Sequence, residues 1–295
     1  LAEDIVGYLT ETGSKEYTDN NNNQYTSYYI KVVRSDGSEY EYTSDKNYSS
    51  YENKIVRITF NNTTASVKSL TTTYDNDGKV DMINYIFDGM SISPNVTILD
   101  VTTTDSSGTG LYTTVFQQRL NGVSLSRDNI LYLGKNTRGE ITEMFLLNAT
   151  GDAYQYGIVT RYDRNINSQS GTLSNSILEF DINGTTYTSN GAYAGLYSGL
   201  PVRLVLNGNS MESIRALSSV NSSISELTSS YLEAGGEKYE LSPNVVVYNK
   251  TYDYKYLVVP LADILDGDQY TISGAYYDKA PSKGGQIRVI VVTEQ

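Results

Sequence analysis

The chain contains no cysteine, no histidine and no tryptophan. Without cysteine there is no disulfide, no zinc–thiolate centre and no thiol nucleophile. Without histidine there is no imidazole ligand and no general base that titrates near neutral pH. Most familiar hydrolase and transferase sites are excluded on these two absences. Proline is scarce, at 5 of 295 residues. No run approaches the roughly 18 apolar residues of a membrane-spanning helix, so membrane insertion is not expected. Positive charge is also short: 22 Lys and Arg stand against 34 Asp and Glu, leaving a net charge of −12. A surface of that sign repels phosphate backbones and anionic headgroups, so nucleic acid is not an expected partner. The opening Leu1-Ala2-Glu3-Asp4-Ile5 resembles neither a signal peptide nor a transit peptide, which implies a processed chain or a piece of a longer one.

What the chain does have is tyrosine, 28 of them, with abundant Ser, Thr, Asn and β-branched residues. That composition favours strands over helices, and no stretch sustains a 3.6-residue apolar period. The expected class is all-β with minor helix.

One stretch organises the rest. Leu241-Ser242-Pro243-Asn244-Val245-Val246-Val247-Tyr248 repeats Ile92-Ser93-Pro94-Asn95-Val96-Thr97-Ile98-Leu99, about half the chain earlier. The similarity extends both ways. Val202–Asn207 matches Val56–Asn61, Ser213–Leu217 matches Ser66–Leu70, and Gly157–Thr160 matches Gly7–Thr10. Downstream, Gly285–Val292 matches Gly139–Leu146. Apolar positions persist between the copies while polar ones drift, as expected of one buried framework used twice. The chain therefore reads as a tandem duplication of a composite unit, 1–152 and 153–295. Each unit is a small β-barrel or sandwich followed by a small mixed β subdomain.

Within the front half of the first unit, Tyr28–Arg34 and Glu39–Thr43 flank Ser35-Asp36-Gly37-Ser38, a hairpin signal in which Asp-Gly supplies the turn. Lys54–Phe60 and Ala65–Leu70 are further strands. The polar tract Asp19–Asn23 is a turn with nothing to bury. In the back half the Ser-Pro-Asn strand comes first, with proline expected near its start, where a missing N–H costs least. Val259–Leu265 has room for one helical turn opened by Pro260. Asn129–Leu133, Glu140–Leu147, Tyr270–Tyr277 and Gln286–Thr293 complete the strands.

The sharpest chemical motif is Thr73-Tyr74-Asp75-Asn76-Asp77-Gly78-Lys79-Val80-Asp81-Met82-Ile83-Asn84. Oxygen side chains at alternate positions around a glycine are how a short loop wraps a hard cation, so Ca2+ is the candidate ion. Asp75, Asp77 and Asp81 would be carboxylate ligands and Lys79 would offer its backbone carbonyl, with Thr73 or Asn84 completing the shell. The pattern is similar to the loops of EF-hands and dockerins, with Thr73 in place of the leading aspartate and Asn84 in place of the closing acid. The alternative is an Asn-Asp-Gly turn with solvated aspartates. Ser218–Tyr231, the matching segment of the second copy, lacks the motif. Tyrosine clusters (Tyr25, Tyr28 and Tyr29; Tyr40 and Tyr42; Tyr252, Tyr254 and Tyr256; Tyr276 and Tyr277) suit either a sugar-stacking platform or half-buried cross-strand packing. Carboxylates are numerous enough for a two-acid glycosidase, but no short motif marks a pair. Asn-X-Ser/Thr sequons are frequent, as they must be in a chain of this composition.

Units that open with Gly-Ile-Val-Thr, pass through Val-Arg-Leu-Val-Leu-Asn-Gly and Ser-Ile-Arg-Ala-Leu, carry an Asp-Asn-Asp-Gly-Lys-Val-Asp insert and continue with Leu-Ser-Pro-Asn-Val-Val-Val-Tyr resemble a known family. It is the extracellular region that follows the anchoring modules in surface-layer (S-layer) proteins of Gram-positive anaerobes such as clostridia. The resemblance implies a secreted, cell-surface structural protein, not an enzyme. Its partners would be copies of itself in a lattice or filament, and cell-wall polymer or glycans, with calcium assisting. The surface-layer homology module of that family has no counterpart in 1–295. The alternative reading is a carbohydrate-binding module or adhesin displayed on the cell surface.

Overall fold

The structure is a computed structural model that describes residues 3–70, 72–103, 110–164, 169, 176–191 and 193–295. Leu1 and Ala2 of the opening sequence lie outside them. The protein is nearly all β, with 59% of residues in strands and helix confined to single 3-10 turns. The chain divides into two compact units, with the change between Ala153 and Tyr154.

In the first unit, β1 (Ile5–Thr18), β2 (Gln24–Val33), β3 (Glu39–Ser44), β4 (Lys54–Asn61) and β5 (Thr64–Ser69) close a barrel in the order β1-β2-β3-β5-β4. Its core is Leu9, Ile30, Val32, Val56, Ile58, Ala65 and Val67, the inward members of alternating strands, together with Tyr48. The back half is a sheet of seven strands: β6 (Gly78–Asp81), β7 (Ile86–Phe87), β8 (Met90–Thr102), β9 (Leu111–Thr114), β10 (Ser124–Leu125), β11 (Ile130–Lys135) and β12 (Ile141–Leu147). Its order is β10-β6-β7-β8-β12-β11, with β9 alongside β8. The repeated Ser-Pro-Asn stretch is β8, and the last strand β12 runs parallel to it.

The second unit follows the same plan. β13 (Gln155–Asp163), β14 (Ser176–Ile182), β15 (Thr185–Gly191), β16 (Pro201–Asn207) and β17 (Ser210–Ala216) form a sheet in the order β15-β14-β13-β16-β17. Among the described residues no pairing joins β15 to β17, whereas their counterparts β3 and β5 meet at Ser44 and Ala65. The back half contains β18 (Ser218–Ser219), β19 (Ile224–Leu227), β20 (Tyr231–Ala234), β21 (Glu237–Lys250), β22 (Tyr256–Val259), β23 (Tyr270–Tyr277) and β24 (Ile287–Glu294). β21 lies between β20 and β24, with β22 alongside and β24 parallel to it.

The duplication extends to an irregularity. Between Ile92 and Thr97 β8 advances five residues while β12 advances two, from Ile141 to Glu143. Between Leu241 and Val246 β21 does the same against Ile287 and Val289. The Ser-Pro-Asn triplet is the excess in both cases. Proline therefore sits mid-strand in a bulge, not near the strand's start: a bulge excuses the missing N–H equally well. The serine hydroxyl closes each bulge, accepting the amide of Asn95 at 3.3 Å in one unit and of Asn244 at 3.1 Å in the other.

In each unit a third apolar cluster joins the front half to the back. In the first it includes Tyr8, Val33, Leu99, Val101 and Phe145; in the second, Ile158, Leu217, Val246, Tyr248, Val289 and Val291. Tyr8 aligns with Ile158 and Leu99 with Tyr248, so the large residue comes from the barrel in one unit and from the sheet in the other. Total volume is conserved across the exchange, which is what dense packing requires.

Candidate functional site

The aspartate loop is built outward from Tyr74. Its ring packs against the core of the first unit's sheet, and its hydroxyl accepts the amide of Leu133 at 3.1 Å. That anchor leaves Asp75 and Asp77 exposed on either side of Asn76, which donates to Asp88 at 2.8 Å. Lys79 lies in β6 opposite Ser124. Asp81 ends β6 and is occupied locally. One carboxylate oxygen accepts the amides of Ile83 and Asn84, and the other accepts the Asn84 side chain, each at 2.9 Å. The bonds from Asn84, backbone and side chain, hold Asp81 below the usual carboxylate range. Among the described residues no three acidic side chains converge on one point. The structure thus keeps Asp81 at the apex of the β6–β7 hairpin as a turn-former, with Asp75 and Asp77 free to the surface.

Tyrosines divide by strand parity. β1 and β2 pair from Tyr8 and Val33 out to Thr18 and Gln24, but β4 accompanies β1 only to Leu9, and β3 accompanies β2 only from Tyr28. Lys15–Thr18 and Gln24–Ser27 therefore pair only with each other. They form a two-stranded arm that turns at Asp19–Asn23, where the Asp19 carboxylate accepts the amides of Asn21 and Asn23. Tyr17 stacks on Tyr25 at 5.8 Å, and Lys15 lies 4.5 Å above the ring of Tyr29. Gly13 is where Tyr29 lies down: a Cβ there would come within 2.9 Å of the ring. Tyr17, Tyr25, Tyr29 and Lys15 thus share one face, tied at its base by ion pairs from Lys15 to Glu41 and from Lys31 to Glu11. In the second unit Tyr252 and Tyr254 are exposed on the β21–β22 turn, whereas Tyr256, Tyr276 and Tyr277 are half-buried.

Among the buried charges that sequence reasoning does not find, two stand inside apolar strand runs. Asp100, fully buried in β8, accepts the amides of Ala149 at 3.0 Å and Thr150 at 2.9 Å, and the Thr150 hydroxyl at 2.6 Å. The same segment is gripped from the other side by Arg119, which makes two bonds to Asp152 at 3.0 and 3.1 Å and one to the Thr150 carbonyl at 3.0 Å. In the second unit Arg288 is 3% exposed and stands in β24 opposite the Ser-Pro-Asn bulge. It pairs with Asp278 at 3.1 Å and lies 4.6 Å from the centre of the Tyr156 ring. Asp278 also accepts the Gln286 amide at 3.0 Å and the Tyr156 hydroxyl at 3.3 Å. Burial drives the pKa of Tyr156 far upward. The signal for both groups was present in the sequence: a lone charge inside an apolar run, Ile98-Leu99-Asp100-Val101 and Ile287-Arg288-Val289. A lone charge in a strand is buried only when its hydrogen bonds are met.

The buried carboxylates Asp100, Asp181 and Asp278 are committed to backbone amides, hydroxyls or a guanidinium. No protein-family model matches the chain, and a search of curated proteins finds no match.

Proposed function

We propose that the chain is a non-enzymatic structural protein of an extracellular surface, which self-assembles into an ordered layer or filament. The observation that carries this reading is the arm. Its β1 segment from Lys15 and its β2 segment up to Ser27 have no strand neighbour on their outer edges among the described residues. A two-stranded ribbon alone is marginally stable, and unpaired edges recruit further strands, a hazard that an assembling protein turns to use. The tandem composite unit and the resemblance to surface-layer proteins support the same reading. Calcium enters as a bridge between acidic surfaces, with the exposed Asp75 and Asp77 among its carriers and Lys79 and Asp81 as local supports.

Electron microscopy of the purified chain, with calcium and then with a chelator, tests the proposal. Sheets, tubes or fibres are expected with calcium. A variant in which Lys15–Ser27 is replaced by Asn-Gly, leaving Ser14 paired with Tyr28, is expected to stay folded and dispersed. Dispersed full-length chains under both conditions refute assembly through the arm. The second reading, a carbohydrate-binding module, rests on the shared face of Tyr17, Tyr25 and Tyr29. With no tryptophan present, intrinsic fluorescence reports tyrosine alone, and a saturable change on adding glycans to dispersed chains favours it.

A further inference from the structure

The turn between β2 and β3 meets the sheet of its own unit and forms a cleft with it. Arg34, Ser35 and Asp36 from the turn, Tyr40 from β3, Thr97 from β8 and Glu143 from β12 line about 330 Å3, at the small end of the range for ligand pockets. Ser35 is 4% exposed and joins the walls: its hydroxyl donates to Glu143 Oε2 at 2.8 Å and so accepts from Thr97 at 2.7 Å. Gly134, across from Glu143 in β11, gives that side chain room to lie against it, since a Cβ there would come within 2.4 Å of the Glu143 Cγ. Glu143 is thus held in place, and its Oε1 has no hydrogen bond among the described residues. Arg34 closes the turn through its backbone, bonded to Ser38 and Gly37 at 2.9 Å each. Its guanidinium makes no hydrogen bond or ion pair among the described residues, and its Nε is enclosed. The two terminal nitrogens, with four N–H donors, are what it offers a ligand.

Opposite charges that line one cleft without pairing leave a gap between a donor and an acceptor. A ligand that spans it accepts from a guanidinium and donates to a carboxylate. Anions are disfavoured: Asp36, held below the usual carboxylate range by the bonds from Ser38 and then by the Arg34 charge, makes two carboxylates against one cation. A metal ion is repelled by the guanidinium, and no three acids converge among the described residues. A peptide cannot enter as an added strand, because β8 and β12 each have neighbours on both sides. A hydroxyl both accepts and donates, and a sugar presents several in a fixed array. Tyr40, 45% exposed with its ring stacked on Tyr42 at 6.0 Å, adds an aromatic surface for the apolar face of a pyranose. The second unit lacks this set: Val246 and Val289, both buried, stand at the positions of Thr97 and Glu143.

We propose that this cleft in the first unit binds a single neutral sugar residue. Arg34 donates to one hydroxyl, Glu143 accepts from a neighbouring one, and Tyr40 flanks the ring. The site shares no residue with the tyrosine face of the arm and is independent of whether the protein assembles.

The test titrates the dispersed full-length chain, with calcium removed, against the methyl glycosides of glucose, galactose, mannose and N-acetylglucosamine. The Arg34 Nε–H resonance, assigned by its loss in Arg34→Lys, is followed by NMR. At least one glycoside is expected to shift it saturably in the millimolar range. Glu143→Gln, which keeps an acceptor for Ser35, is expected to weaken binding at least fivefold, and Tyr40→Ala, at an exposed position, at least threefold. Acetate and N-acetylglycine N-methylamide, which present an anion and a peptide group, are expected to leave the resonance unmoved. No saturable shift with any of the four glycosides, an equal response to acetate or to the amide, or undiminished binding in Glu143→Gln overturns the proposal.

Discussion

Replacing Asp100 with alanine removes the acceptor for three buried or half-buried donors at once, the amides of Ala149 and Thr150 and the Thr150 hydroxyl. Each unsatisfied donor costs about 1–3 kcal/mol, and bonds to a charged acceptor lie at the upper part of the range. Three independent losses would exceed 5 kcal/mol. Local rearrangement and water entry recover part of that, and the Arg119 bonds to Asp152 and Thr150 still hold the segment. The expected destabilisation of the first unit is about 4 kcal/mol. Asp100→Asn keeps the shape and one acceptor oxygen and should cost about 2 kcal/mol, while Thr150→Val, which removes only the hydroxyl donor, should cost about 1 kcal/mol. Because two units need not unfold together, urea titrations must be read with probes inside residues 3–153. Amide hydrogen exchange at Ala149 and Thr150 is the direct readout. Retained protection there in Asp100→Ala, or a loss below about 1 kcal/mol, would refute the reasoning that this carboxylate secures the segment.

Gly157 and Gly7 occupy equivalent positions but should respond unequally to alanine. A Cβ on Gly157 would lie 2.0 Å from the Asp181 carbonyl oxygen, against 3.2 Å between a Cβ on Gly7 and the Val33 carbonyl. Gly157→Ala is expected to cost about 3 kcal/mol or more and Gly7→Ala about 1 kcal/mol or less, measured by urea unfolding. Stability should also fall in alkali. Burial, and then the neighbouring Tyr112, push Tyr8 up to about 12, and burial with the bond to Glu39 does the same for Tyr112. Unfolded tyrosines ionise near pH 10, so between about pH 10 and 12 the unfolded state binds fewer protons than the folded one, and stability is lost as pH rises. Tyr8 is 1% exposed, and a rise from about 10 to about 12 corresponds to about 2.7 kcal/mol, complete above pH 12. Tyr8→Phe should flatten that slope; an unchanged slope would exclude Tyr8 as its source.

Much of the architecture was legible because repetition is a strong signal. With Ser-Pro-Asn matched to its copy, the strands beside it follow, and Tyr270–Tyr277 has the bounds that apolar alternation suggests. The failures have physical causes. The outer half of β1, Glu11–Thr18, buries little, and nothing in a polar strand's pattern separates it from a loop. Proline is expected near a strand's start, and the bulge that holds it instead is set by the register of two strands far apart in sequence. For Asp100 and Arg288 the sequence shows a lone charge in an apolar run but not how it is satisfied, because their partners lie about 50 and 10 residues away. The aspartate loop reads either as a cation loop or as an Asn-Asp-Gly turn with solvated aspartates; Asp75 and Asp77 are exposed, but the turn itself falls after β6, beyond Asp81, where its position depends on the pairing of β6 with β7.

The parallel pairing of β8 with β12, and of β21 with β24, bears on how the chain is made. One edge of the Ser-Pro-Asn strand is covered early, by β7 and then β9, but the other is covered only by the last strand of its unit. An emerging chain would therefore carry a bare edge for some 40 residues of synthesis before its proper neighbour arrives. The bulge, by breaking the straight run of that edge at proline, blunts it as a template for strangers during the wait. A motif that looks like an ornament of the finished sheet is then also a guard on the unfinished one.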